Sequence, residues 1–112
     1  MERNVEELLN DYREKAAEYA RAKARRTYIE EFKKSKFAIL MRQAEKDGFK
    51  TGVAQEREAF ASEEYQQLLA GLESAVEEEE RLRYDMRADE MQLEVWRTIR
   101  ADERQERKVY GT

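Results

Sequence analysis

Apolar side chains recur at Val5, Leu8, Leu9, Tyr12, Ala16, Tyr19 and Ala20, at the three- and four-residue steps of one helix face. The stripe thins through Ala22 and Ala24, then resumes at Tyr28, Ile29, Phe32, Phe37, Leu40 and Ala44. Asn4 stands where a cap is needed, and Glu7, three residues on, completes the signature of a capping box. Asp47-Gly48 reads as a stop, because glycine takes the left-handed conformation that ends many helices. The pattern predicts a first helix over 4–46.

Thr51-Gly52 opens a short helical segment, Val53 to Phe60. Ser62 followed by Glu63 and Glu64 is a strong helix start: a hydroxyl cap, then acids that suit the helix dipole. Beyond it Tyr65, Leu68, Leu72, Ala75, Glu79, Leu82, Met86, Asp89, Leu93, Trp96 and Arg100 fall at alternating three- and four-residue steps. That is a heptad seam with three polar interruptions. It predicts a second long helix over 63–108, joined to the first by a bridge at 47–62. The expected fold is all-α: one domain over 1–112, an antiparallel, coiled-coil-like hairpin of two long helices with a short bridging helix. Gly71, inside the second long helix, costs about 1 kcal/mol against Ala. It is either a tolerated surface glycine or a point where another helix comes close.

Composition narrows the chemistry. The chain has 112 residues, 43% of them charged, and no His, Cys or Pro. Imidazole bases, thiolate nucleophiles and soft-metal ligands are therefore missing. Glu73, Glu77 and Glu80 share a helix face, but helical carboxylate metal sites normally add His, so a solvated acidic face is expected. The glycines at 48, 52, 71 and 111 form no phosphate loop, and Ser35, Ser62 and Ser74 have no base of the usual kind. No enzyme activity, cofactor or metal is expected. The longest apolar run, Phe37 to Met41, is five residues, far short of a membrane span of about 18. The opening residues carry no apolar signal core, which with the lack of Cys gives a cytoplasmic setting as the expectation.

A two-helix hairpin covers only one stripe of each helix. Phe32, Phe37, Tyr84, Val95 and Ile99 would stay partly open, so self-association is expected, with Leu93, Val95, Trp96 and Ile99 at the interface. Trp96, on the seam, is expected to be buried.

Charge is segregated along the chain. Residues 21–50 carry ten Lys or Arg against four acids, and residues 56–80 carry nine acids against Arg57 alone. Basic side chains track a phosphate backbone and aromatic faces stack on unpaired bases, so Arg21, Lys23, Arg25 and Arg26 with Tyr28 and Phe32 suit single-stranded nucleic acid. The alternative is intramolecular pairing. If the chain folds back near residue 54, Lys33, Lys34 and Lys36 lie near Glu73 and Glu77 to Glu80 and merely set the hairpin register. The same register puts Arg21 to Arg26 near Arg83 and Arg87, with only Asp85 to oppose them. That belt is the expected binding surface, with a solvated face as its alternative.

The segments AQEREAFASEEYQQLLAGL (54–72), AVEEEERLRYDM (75–86) and EVWRTIRADERQERK (94–108) resemble small helical proteins encoded by bacteriophages. The aromatic-basic helix YIEEFKKSKFAILMRQAE (28–45) is similar in style. Such proteins are similar in architecture to UvsY-type recombination mediators. The resemblance covers most of the chain and rests on pattern, so no binding residue is carried over from it. It implies a helical oligomer that binds single-stranded DNA and helps a recombinase or annealing protein displace the single-strand-binding protein in the host cell. Two other classes remain open. One is a non-catalytic adaptor or inhibitor of a host or phage protein, with Glu77 to Glu80 imitating phosphate charge. The other is a structural assembly component that needs no basic patch.

Overall fold

Helix caps fix where the chain turns. The backbone N–H of Glu7 donates to Asn4 Oδ1 at 2.8 Å, and α1 runs Val5–Lys46 from that cap. At its other end Gly48 has φ 104°. The Phe49 N–H reaches back to the Ala44 carbonyl and the Gly48 N–H to that of Glu45, at 3.1 and 3.2 Å. This is a Schellman motif, in which glycine avoids the Cβ clash of a left-handed residue. Thr51 Oγ1 accepts from the Ala54 N–H at 3.1 Å and starts α2, Gly52–Ala61. Ser62 serves two helices: its hydroxyl donates to the Ala59 carbonyl at 2.7 Å and accepts from the Tyr65 N–H at 3.2 Å. From there α3 runs Glu63–Tyr110. The computed structural model describes residues 4–110. Among these there is no strand, and no helix is long and apolar enough to cross a membrane. The all-α hairpin with a bridging helix is the fold.

Contacts group the chain into two compact units. One joins the residues up to Ala20 with those from Glu80 onward; the other is Arg21–Glu79. In the second unit Leu40, Ala59 and Tyr65 form a core with Phe37, Met41 and Leu69 packed on it. Phe60 closes an aromatic cluster, its ring centroid 4.6 Å from Phe37 and 5.5 Å from Tyr65. Docking Phe37 and Leu40 on Tyr65 sets the register there. It differs from the expected one by several residues. Lys36 pairs with Glu64 at 3.3 Å and Lys34 with Glu31 of its own helix at 3.7 Å, so these lysines do not meet Glu73 or Glu77 to Glu80.

In the first unit Leu8 and Leu82 are buried, and Lys15 Nζ meets Asp89 Oδ2 at 2.9 Å. Tyr12 donates its hydroxyl to Glu90 Oε1 at 2.7 Å, and that bond, with burial and the Glu90 and Asp89 charges, raises the Tyr12 pKa. The α3 seam buries Tyr65, Ala75, Glu79, Leu82 and Asp89, so two of its three polar interruptions lie inside. The third, Arg100, is exposed, with its guanidinium 5.4 Å from the centre of the Trp96 ring. Trp96 itself is 38% exposed, contrary to expectation. The physical reason is length: α1 begins only at Val5, and the pairings of residues 12 and 15 with 90 and 89 bring its start opposite this part of α3.

Gly71 meets open space, since a Cβ built there has no neighbour within 4 Å. It is a surface glycine. Gly71→Ala is therefore expected to raise stability by about 1 kcal/mol, read as a higher denaturation midpoint with an unchanged denaturant slope.

Candidate nucleic-acid interface

The four basic residues that stand together in sequence do not stand together on the helix. One residue turns a helix by 100°, so Arg21 and Lys23 point about 160° apart. Arg26 falls on the inward seam with Ala22 and Ile29. There its guanidinium donates to both Glu79 oxygens at 2.6 and 3.0 Å, and to Glu30 at 3.0 Å. The Glu79 bond leads in raising the Arg26 pKa, against a smaller opposing effect of burial. Arg26 was expected in the open belt; it is instead the partner of a buried carboxylate. Lys23 is exposed on the other flank of α1, where its carbonyl accepts from the Thr27 hydroxyl.

Arg21, Arg25, Tyr28 and Phe32 do share a face. The steps between them are four, three and four, and the series continues through Ser35, Ile39, Arg42 and Lys46 without a break. At 3.6 residues per turn these eight positions fall within an arc of about 100°. All are exposed, all lie in the Arg21–Glu79 unit, and no acid interrupts them. The ring planes of Tyr28 and Phe32 lie 6° from parallel with centroids 5.9 Å apart. Tyr28 is 68% exposed and Phe32 38%. The face thus presents two guanidiniums, a pair of parallel rings, an isoleucine and two more cations along about 38 Å of helix. Sequence reasoning missed Ile39, Arg42 and Lys46. The signal that finds them is the four-three alternation itself, carried on from Arg21.

The remaining candidates lie in the other unit. Arg83 is held by Glu80 at 2.7 Å, and this bond raises the Arg83 pKa. Arg87 lines a shallow groove with Tyr19, Arg83, Tyr84, Met86 and Glu90. Of the residues expected at a self-association surface, Leu93 is half-buried and Trp96 shares its seam, while Val95 and Ile99 stand out to solvent.

In the acidic run Glu79 and Glu80 are both in ion pairs. Among the described residues no group of three or more carboxylates is placed to hold a metal ion. No protein family, curated protein or solved structure matches the chain, so a functional reading has to come from its own residues.

Proposed function

We propose that the chain binds single-stranded DNA along the outer face of α1 and serves as an accessory factor to a recombinase or annealing protein. The observation that carries the DNA reading is the acid-free series Arg21, Arg25, Tyr28, Phe32, Ser35, Ile39, Arg42 and Lys46, all exposed. Cations at both ends of the face track phosphates, and the Tyr28 and Phe32 rings between them stack on unpaired bases. Stacked base pairs offer no such ring faces, so single strands are preferred over duplex. The recombination role is supported by the resemblance in helical pattern to phage mediators, and it comes second to the DNA reading.

The test is a titration of labelled oligo-dT, and separately of duplex DNA, at two salt concentrations. Oligo-dT is expected to bind more tightly than duplex. Its log affinity is expected to fall by about 0.7 per contacted phosphate for each tenfold rise in salt, hence by about 3 if all four cations engage. Tyr28→Ala with Phe32→Ala is expected to weaken binding by about 1–3 kcal/mol per lost stack while leaving that slope unchanged. Equal affinity for both nucleic acids, or a double variant that binds as the wild type does, would sink the stacking assignment.

A further inference from the structure

The α3 helix carries a second apolar stripe that α1 does not cover. Tyr84, Ala88, Met91 and Val95 follow at steps of four, three and four, and Ile99 extends them by another turn. Tyr84, Met91, Val95 and Ile99 are 60%, 64%, 59% and 42% exposed. This stripe is centred about 150° round the helix from the seam of Leu82, Met86, Asp89 and Leu93. A helix that is apolar on two separate faces needs two partners.

We infer that the second partner is the same stripe of another copy of this chain, running antiparallel. The stripe is complementary to itself in that direction. Setting Tyr84 opposite Val95 of the second copy also sets Ala88 opposite its Met91, and symmetry repeats both layers. Each layer then joins a large side chain to a smaller one, as close packing requires. The flanking charges agree: Arg87 falls beside Glu94 of the second copy, and the dyad closes this ion pair twice. Glu94 presently bonds Arg97 of its own helix at 2.9 Å, but both side chains are about two-thirds exposed and can turn to a better partner. A parallel alignment would stack Ala88 on Ala88, leaving a gap, and would set Glu80 beside Asp85. Of the interface residues expected from sequence, Val95 and Ile99 belong to this seam; Leu93 and Trp96 belong to the intramolecular one. The inference goes beyond the DNA reading and stands without it, because it uses none of the α1 face.

The chain has no cysteine, which makes cross-linking clean. Tyr84→Cys and Val95→Cys variants of the chain are mixed in a glutathione buffer and the disulfides mapped. The disulfide joining position 84 to position 95 is expected to exceed that joining position 84 to position 84 by about tenfold or more. Alongside, Glu94→Arg is expected to weaken the dimer by about tenfold or more at unchanged helicity. Adding Arg87→Glu restores it, since the reversed pairs match again. A monomer by light scattering at about 100 μM, where even a weak dimer would be populated, overturns the inference. So does predominance of the 84-to-84 link, or a double reversal that fails to restore the dimer.

Discussion

Leu82→Ala is expected to cost about 3–5 kcal/mol, read as a large fall in the denaturation midpoint. Leu82 is only 2% exposed. Removing its branched end deletes buried methyl groups and leaves a cavity that two stiff helices cannot collapse to fill. The effect is large because the core is thin. Among the described residues the other buried apolar side chains are Leu8, Ala22, Leu40, Ala44, Ala59, Tyr65 and Ala75, so half of these eight, Leu82 included, are alanines. Each large residue therefore carries a sizeable share of a total that for ordinary domains is only about 5–15 kcal/mol. A loss below about 1 kcal/mol would mean that Leu82 is not packed as described.

The second large effect concerns the buried charge in the same unit. Lys15→Met is expected to destabilise by about 3 kcal/mol, because it removes the cation 2.9 Å from a carboxylate that stays 2% exposed. Adding Asp89→Leu is expected to recover most of that loss or to exceed it. A buried ion pair replaced by apolar side chains of similar volume is often neutral or stabilising. The double variant should give up something else. A polar residue at a seam position fixes register, and without it the heptads of α1 and α3 can slip by a full repeat. Denaturation of the two variants, with hydrogen exchange to read register, checks both halves. A single variant as stable as the wild type would show that the pair adds nothing.

These two variants mark what was legible in the sequence. As far as Leu93 the α3 seam reads correctly from spacing alone, Glu79 and Asp89 included, because a heptad step places a residue inward whatever its polarity; at Trp96 and Arg100 the spacing still points inward but both side chains are exposed. The caps at Asn4 and Ser62 and the stop at Gly48 read equally well, since each depends on chemistry within a few residues. Register does not read in this way. A pattern that repeats every seven residues matches itself at several offsets, and the docking of Phe37 and Leu40 on Tyr65 is what selects one. The error carried through to the basic belt, where Arg26 was expected to be open and is instead bonded to Glu79. Neighbours in sequence are also not neighbours in space on a helix, where each residue turns the chain by about 100°. Arg21, Lys23, Arg25 and Arg26 make a dense cluster on the page and point in three directions on a helix. Sorting the same residues by a four-three step isolates Arg21 and Arg25 and leads on to Tyr28, Phe32, Ile39, Arg42 and Lys46.

Whether this α1 face binds single-stranded DNA is tested most directly by Arg21→Glu with Arg25→Glu. Both side chains are exposed, and neither is needed to hold the helices together. Anisotropy of labelled oligo-dT at low salt should show binding by the wild type. The double reversal should lose it by about a hundredfold or more, with circular dichroism unchanged. A wild type that does not bind, or a reversed variant that binds as tightly as the wild type, would contradict the account.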